Sequence, residues 1–469
     1  YLHIRSMGIP ALYEFERDLY ASAHAVTPMT HLPDIPITVI GGRGPHGLAL
    51  HLWMRDRGLE GAYRLVDPAH DWLPLYDDAG LARFSDWLRS PRELDFAMGD
   101  PARAMTAWRD ADGRRPLADA YGFDDVDDPH ANAALAPERR VDRRAFLRYA
   151  RAVALASGAD THVARAAVRR LVPLDGRWRV ELDDRRAYET RVVLLATGVA
   201  PHQRVPEPWQ VWWRHLPPGR AELALLADRC ADRLRGRRLA VLGSSNVAAW
   251  EAATWAARAG AHVTLLCRRG APIERQLPFD RAWFEPAFLR AFVRLDPRER
   301  QRRLKRTHVP KSTLPGTPAA AVEAGVEVRY DARVRFATEL WGGVQVQWRD
   351  ARGDRAERFD LVWAATGGDP RPRELPFLAD AVGRGRGPVV VGGPARGLPV
   401  TDALGRWQQL PPMYPLGHLA LARAGLAAAT LASAGRYLPM ILPDVLADAG
   451  VDPGRRALRG APEPLEAAA

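Results

Sequence analysis

The sequence predicts an α/β protein with two Rossmann-like dinucleotide-binding domains and inserted helical segments. Three observations carry that prediction. A strand, glycine turn and helix begin at Ile37, and a second unit of the same grammar begins at Arg238. Two Ala-Thr-Gly segments, ending in Thr197-Gly198 and Thr366-Gly367, each close a later run of strands. Such self-similarity is the mark of a repeated structural unit.

Composition sets the bounds. A chain of 469 residues suffices for two or three domains of about 100–200 residues each. Apolar residues make up 47% and charged ones 26%, near the averages for globular proteins, so a sizeable core is expected. A net charge of +11 would ordinarily suggest nucleic acid or an anionic membrane. All but Lys305 and Lys311 of the 67 basic residues are arginine, however, and they are interleaved with 56 acids. Without a basic stripe, neither partner is expected. The two cysteines, Cys230 and Cys267, form no CxxC pair, which argues against a redox dithiol or a cysteine-rich metal site. Any redox chemistry must then come from a cofactor. The nearest approach to a membrane-spanning run, Leu419 to Ala434, is broken by Arg423 and Gly425. The first residues lack the basic and apolar regions of a signal peptide, so a cytoplasmic location is expected.

Ile37-Thr38-Val39-Ile40 is a β-branched run suited to a strand buried on both faces. Gly41 to Gly47 form a turn, His46 to Arg57 carries helical apolar spacing, and Arg64 to Asp67 supplies a second strand. Asp71 to Ala145 reads as an insertion with short helices. Strands follow at His162–Val168, Trp178–Leu182 and Arg191–Ala196, with Asp175-Gly176 as a hairpin turn. Ala221 to Leu234 is helix-like. The grammar then restarts: strand Leu239–Leu242, turn Gly243–Ala248, a helix through Ala259, and strand His262–Leu266. Val326–Val328, Val344–Trp348 and Leu361–Ala364 mimic the earlier meander. Val389 to Gly393 is expected as one more buried strand, and Leu416 to Ala432 as a long helix of small residues. The predicted organisation is a first domain over 36–236 and 368–435, inserted at 71–145, with a second domain, 237–367, inserted in it. Residues 1–35 and 436–469 are read as terminal extensions.

Gly42-Arg43-Gly44-Pro45-His46-Gly47 fits the dinucleotide fingerprint G-x-G-x-x-G. Its glycines permit the tight turn, the approach of backbone to a pyrophosphate, and close helix–strand packing. Asp67, at the end of the second strand, stands where a carboxylate accepts ribose hydroxyls. The second turn, Gly243-Ser244-Ser245-Asn246-Val247-Ala248, keeps small residues at the key positions. Aligning Gly243 with Gly42 places Arg268, with Arg269 beside it, at the position of the acid. Guanidinium groups can grip a 2′-phosphate that a carboxylate would repel, so this site is expected to take NADPH; a solvated arginine pair is the bland alternative. Asp67 points to an unphosphorylated adenine dinucleotide, and FAD on the first domain gives a hydride acceptor for NADPH on the second. Asn246 either caps its helix or touches the pyrophosphate.

With these motifs in place, the chain resembles the two-dinucleotide-binding-domain flavoproteins, and among them the flavin-dependent monooxygenases. Gly42 to Leu50 is similar to the opening G-x-G-P-x-N-L-S-L-A of the N-hydroxylating enzymes that act on ornithine or lysine side chains, with Gly47 where those carry Asn. Trp72, Leu88-Arg89-Ser90-Pro91, and Gly397-Leu398 followed by Thr401-Asp402 are similar as well. The resemblance implies that Thr197, Gly198, Thr366 and Gly367 line the crossing between domains, and that Trp72, Gly392, Gly393, Thr401 and Asp402 lie near FAD. It also implies an NADPH-consuming transfer of one oxygen atom of O2 to a small-molecule nucleophile, most simply an amine nitrogen. The sequence departs from the family at Val199 and Gly368, where Tyr commonly follows the ATG, and offers Arg83 where a lysine is usual.

No nucleophile or acid–base motif is encoded, and His70 and His202 are scattered, so no catalytic side chain is named. Trp212, Trp213, Trp250 and Trp255 read as packing residues. The basic run Arg298 to Arg306 is either a solvated helix face or a lid over an anionic ligand. Two rival functions share every nucleotide motif: an NADPH–flavin oxidoreductase that does not oxygenate, and a non-catalytic nucleotide-binding protein. Specificity is expected to reside in the segments Asp71–Ala145 and Gly270–Ala320.

Overall fold

The computed structural model describes residues 29–77, 87–91, 140–198, 205–224, 227, 230–243, 247–275, 279–307, 312–367, 372–382, 387–391 and 395–453. After a two-residue strand, Thr30–His31, which pairs in parallel with Arg186–Ala187, come strand β1 (Ile35–Ile40), helix α1 (Pro45–Arg55), β2 (Tyr63–Val66), α2 (Arg143–Ala156) and β3 (Val163–Ala164). β1, β2 and β3 are parallel neighbours, in register at Ile40–Val66 and Val66–Ala164. Alternate residues point to opposite cores: Ile37, Val39 and Leu65 meet α1 and α2, whereas Ile40 and Val66 face the other side. Both faces are covered, which is why the run is continuously apolar. Pro45 starts α1 with Gly44 as its cap, and Asp142 caps α2 by accepting from the Ala145 amide at 2.6 Å.

β4 (Val168–Pro173), β5 (Trp178–Leu182) and β6 (Arg186–Leu195) form an antiparallel meander on the same sheet. The expected single strand His162–Val168 is thus two, since the chain leaves parallel β3 and turns at Ala166 into the hairpin. The turn at Asp175-Gly176 lies where expected, with Gly176 at φ 65°.

The second sheet is wholly parallel. It comprises β7 (Ala221–Leu223), β8 (Arg238–Leu242), β9 (His262–Leu266), β10 (Glu327–Arg329) and a fifth strand, Leu361–Ala364, in the order β7, Leu361–Ala364, β8, β9, β10. α3 (Val247–Arg258) crosses from β8 to β9. Ala221 to Leu234 is therefore not one helix: pairing of β7 with Leu361–Ala364 overrides the helical preference of its alanines and leucines, and among the described residues of the run the α-helix is confined to Ala231–Leu234. β11 (Arg333–Leu340), β12 (Gly343–Asp350) and β13 (Gly353–Phe359) make a separate antiparallel meander before the fifth parallel strand, β14 (Leu361–Ala364). Val326–Val328 accordingly belongs to the parallel sheet, not to the meander.

Between β9 and β10 the chain inserts α4 (Pro286–Arg294) and α5 (Pro297–Thr307). Phe279, Trp283, Phe292 and Leu304 of this insertion pack into a core with Val193, Leu195 and Met413 of the first sheet. The basic run Arg298 to Arg306 lies on α5, anchored by buried Arg300 and Leu304. After β14 the chain returns through β15 (Met413–Pro415), which pairs with Val193–Leu195 of β6, to α6 (Leu438–Ala449).

Three expectations for this return are corrected. Val389 makes only a bridge to Pro399, and Val391 is 97% exposed, so the run is no buried strand; β15 closes the sheet instead. Gly392 and Gly393 lie outside the described residues. The long helix expected over Leu416–Ala432 is a series of single turns, Gly417–Ala420, Leu421–Ala424 and Leu426–Ala429, interrupted at Gly425 and ended at Thr430. The region expected as a C-terminal extension supplies α6, whose Leu438, Ile441, Leu442 and Val445 complete the core beneath α1. Tyr414 of β15 donates to Asp448 of α6 at 2.7 Å, and Arg406 pairs with that same carboxylate. Among the described residues no helix is long and apolar enough to cross a membrane.

Gly425 has φ 78° and ψ −168°, and a Cβ there would lie 1.9 Å from the Trp283 ring. Gly425→Ala is expected to cost more than about 2 kcal/mol, combining strain with overpacking. Gly158→Ala, a left-handed position with open space around it, should cost only about 1 kcal/mol. Urea denaturation of the two variants checks the difference.

Candidate dinucleotide sites

Both sheets end in the same hydrogen-bonding pattern. Gly41 donates to Val66 O at 3.0 Å and Gly243 to Leu266 O at 3.1 Å; Ala196 donates to Ile40 O and Ala365 to Leu242 O, each at 2.8 Å. Asp67 donates to Ala164 O on β3, and Cys267 to Arg329 O on β10. This register equates Gly243 with Gly41, not Gly42, and shifts the alignment read from sequence by one residue. The Gly41-Gly42 doublet made the two choices indistinguishable there. The counterpart of Asp67 is therefore Cys267, with Arg268 one residue beyond.

The first glycine of each pair is required by a close approach. A Cβ on Gly41 would lie 2.5 Å from Ala196 O, and one on Gly243 2.3 Å from Ala365 O. Gly47 is fixed in the same way: a Cβ would come within 1.8 Å of Gly42 O. The Asn that the resembling family carries at this position would not fit the observed packing.

Above the first turn opens a cavity of about 730 Å³, at the carboxyl ends of β1, β2 and β6, where ligands of doubly wound sheets bind. Six of the expected residues line it: Gly44, Pro45, His46, Asp67, Thr197 and Gly198. Gly42 and Gly47 lie behind it as packing positions. Trp72 is buried in the core beside α1, with the Arg43 guanidinium 5.4 Å from its ring centroid. Thr401 and Asp402 are not brought to the cavity. Thr401 bridges to Trp407, and the Asp402 carboxylate is taken up by the Leu404 and Arg406 amides and the Arg406 side chain.

The Asp67 carboxylate accepts from the Arg43 amide at 3.0 Å and the Ala69 amide at 2.9 Å. Burial pushes its pKa up, partly opposed by these amides and by the Arg43 guanidinium. Each carboxylate oxygen retains a lone pair for a ribose hydroxyl. His46, in the first turn of α1, is held neutral by burial, its pKa lowered to about 4. A cation there would oppose the positive end of the helix dipole. The Thr197 hydroxyl is buried on the cavity wall without a hydrogen-bond partner among the described residues. Glycine turn, a helix start without a side-chain cap, acceptor carboxylate and buried hydroxyl together fit the adenosine diphosphate portion of FAD.

Several lining residues carried no readable signal. Leu73, Pro74, Leu75 and Tyr76 come from an irregular segment, and Phe377, His418 and Leu431 from distant turns. The fully buried Arg43 could have been noticed as a large cation inside a glycine turn.

At the second sheet, Gly243, Cys267, Arg268, Arg269, Thr366 and Gly367 follow the carboxyl ends of β8, β9 and β14. Arg268 is exposed and Arg269 half-buried, while the Cys267 thiol is buried against Gly243. Ser244, Ser245 and Asn246 lie outside the described residues, and Ala248 lies in the first turn of α3. Cys267 puts no carboxylate at the ribose position, so the residues there fit a 2′-phosphorylated coenzyme.

No family model matches the chain, and no curated protein sequence matches it. Solved structures do. The ornithine N-hydroxylase of Kutzneria sp. 744, described with reduced FAD, NADP+ and L-ornithine, has a TM-score of 0.68 at 15% identity, covering 88% of this chain and 99% of that one. The ornithine hydroxylase of Pseudomonas aeruginosa gives 0.66 at 18% identity over 88% and 99%. The cadaverine monooxygenase of Erwinia amylovora, described bound to FAD, gives 0.65 at 15% identity over 88% and 95%. The chain thus has the two-dinucleotide-binding-domain fold of these structures.

If the Asp67 carboxylate holds the ribose, FAD affinity should fall as pH is lowered through a midpoint above 3.8, the ordinary Asp value. The raised pKa has the opposite sign for folding: the ionised carboxylate costs stability, and acidification removes that cost. Flavin titrations from pH 4 to 8 should show the step in wild type. Asp67→Asn should bind FAD more weakly, by about tenfold or more, and lack the step.

Proposed function

We propose that this protein is an FAD-dependent, NADPH-consuming monooxygenase that places one oxygen atom of O2 on the nitrogen of a small-molecule amine. The observation that carries the reading is the match of nearly the whole chain to the ornithine and cadaverine hydroxylases, together with a first-sheet cavity whose groups suit FAD. When bound, flavin supplies hydride acceptance from the nicotinamide and activation of dioxygen.

The chain's own contribution is binding, orientation and dryness. Asp67 would accept from the ribose hydroxyls, the start of α1 would hold the diphosphate, and the buried Thr197 hydroxyl would be available to hydrogen-bond the cofactor. Leu73, Pro74, Leu75, Phe377 and Leu431 give the cavity apolar walls that exclude water from the reacting centre. His46, neutral at physiological pH, brings no cation to the helix end. On the second sheet, Arg268 and Arg269 would hold the 2′-phosphate of NADPH, and Cys267 stands where a carboxylate would repel it. The nitrogen that takes up oxygen needs a free lone pair, so the amine must react as its neutral form.

Oxygenation is tested by offering purified protein FAD, NADPH and small amines. A hydroxylamine formed in proportion to NADPH consumed supports the proposal. NADPH oxidation that yields only hydrogen peroxide would indicate the oxidoreductase reading instead. For coenzyme choice, Arg268→Ser should raise the KM for NADPH about tenfold, the loss of one charge-assisted contact, with little effect on NADH. Adding Cys267→Asp should carry the preference toward NADH. An unchanged NADPH-to-NADH ratio in both variants would remove this assignment of the second site.

A further inference from the structure

We infer that Arg151 is a positioning residue for the flavin: with Arg43 and Arg143 it holds the irregular segment 67–77 in place as a wall of the first-sheet cavity. The inference rests on the reading of that cavity as the FAD site.

The segment supplies Asp67, Pro68, Leu73, Pro74, Leu75 and Tyr76 to the cavity lining. It belongs to no sheet, and its one helical turn, Pro74–Tyr76, is three residues long. An irregular segment has backbone carbonyls to satisfy and little of its own to satisfy them with. Three guanidinium groups do so here. Arg43, 1% exposed, donates through Nη1 to His70 O and through Nη2 to Asp160, while its backbone carbonyl accepts from the Leu73 amide. Arg143, also buried, donates to Tyr76 O. Arg151 reaches between them: Nε donates to Trp72 O at 3.4 Å, and Nη2 meets the Asp77 carboxylate at 2.7 Å with Asp71 at 3.7 Å.

Arginine suits this work because its planar fork can serve a carbonyl and a carboxylate at once, which an ammonium cannot. Leu73 has something to be held against. It sits at φ 53° and ψ 51°, a left-handed conformation that a leucine adopts at a cost and keeps only where its surroundings over-determine it. Its two flanks are the points that are gripped, at Trp72 O on one side and at Tyr76 O and Asp77 on the other. A segment released from Arg151 can relax Leu73 and move the lining residues away from the flavin. Asp67, held separately by the Arg43 and Ala69 amides, would stay in place.

Arg43 and Arg143 are fully buried, and truncating either leaves a hole and stranded polar groups. Arg151 is the arm to test, because its side chain is 35% exposed and its loss can be tolerated by the fold. FAD is removed from wild type, Arg151→Met and Arg151→Lys, and FAD affinity, NADP+ affinity and the thermal midpoint of the FAD-free protein are measured for each. Expected for Arg151→Met is FAD binding weakened about tenfold or more, with NADP+ affinity and the FAD-free midpoint unchanged. Arg151→Lys, which keeps the ion pair but loses the fork, should recover part of the FAD affinity. Wild-type FAD affinity in Arg151→Met overturns the inference. So does a lowered FAD-free midpoint with FAD and NADP+ weakened alike, since that is a structural role only. Failure of the wild type itself to take up FAD overturns both the inference and the reading of the cavity on which it rests.

Discussion

In each sheet the first strand ends against the carbonyl of an alanine from the Ala-Thr-Gly strand, with no room for a side chain at the glycine between them. That close approach brings three strand ends together, and the rest of each site is hung from it. The Gly41 and Gly243 amides reach the ends of β2 and β9, so the residue that follows each second strand is delivered to the mouth of the turn. Asp67 and Cys267 occupy equivalent positions for this reason, and the chemical difference between them distinguishes two otherwise matching frames. A half-buried carboxylate suits free ribose hydroxyls; a buried thiol followed by arginine suits a phosphate.

The abundance of arginine has a structural use in this fold. Arg43, Arg143 and Arg151 serve carbonyls of the segment beside the first cavity. Arg300 and Arg423 both donate to Val293 O near the end of α4, and Arg436 donates to Phe284 O. Burial and the neighbouring Arg423 charge lower the pKa of Arg300, yet guanidinium remains charged in proteins and carries enough donors to repay its burial. The irregular parts of the chain are thus tied by long side chains where regular secondary structure is absent.

What was legible in the sequence lay wherever local chemistry and tertiary role coincide. The strand Ile37–Ile40, the turn to Gly47 and the strand His262–Leu266 are each dictated by a β-branched run or a glycine that nothing else could replace. Gly44, Pro45, His46 and Asp67 of the cavity lining belong to the fingerprint and the strand end that the sequence displays, whereas Thr197 and Gly198, which also line it, were expected from the resemblance. Elsewhere the deciding force is non-local. Ala221–Leu223 has helix-forming composition but takes an edge of the parallel sheet, because its partner, Leu361–Ala364, arrives much later in the chain. Val389–Val391 has strand-forming composition but finds no open edge, because Met413–Pro415 already occupies it. Leu416–Ala432 looks helical until Trp283, from a different part of the chain, fills the space at Gly425. The alignment of the two turns slipped by one residue for a subtler reason: only hydrogen-bond register distinguishes Gly41 from Gly42. The segment from Leu73 to Tyr76 was silent because its geometry is imposed by arginines outside it.

The shared edge of β6 has a further consequence. Its first half pairs with the neighbouring hairpin, but its second half waits for β15, and the layer beneath α1 waits for α6. Both come from the last stretch of the described chain, whereas every strand of the parallel sheet of β7 to β10 and β14 has been made by Ala364. At ribosomal speeds of about 5–20 residues per second, the domain that begins first is completed last. For those seconds it carries an open strand edge and bare leucines and valines, the features that holding chaperones recognise and that promote aggregation when they are left uncovered.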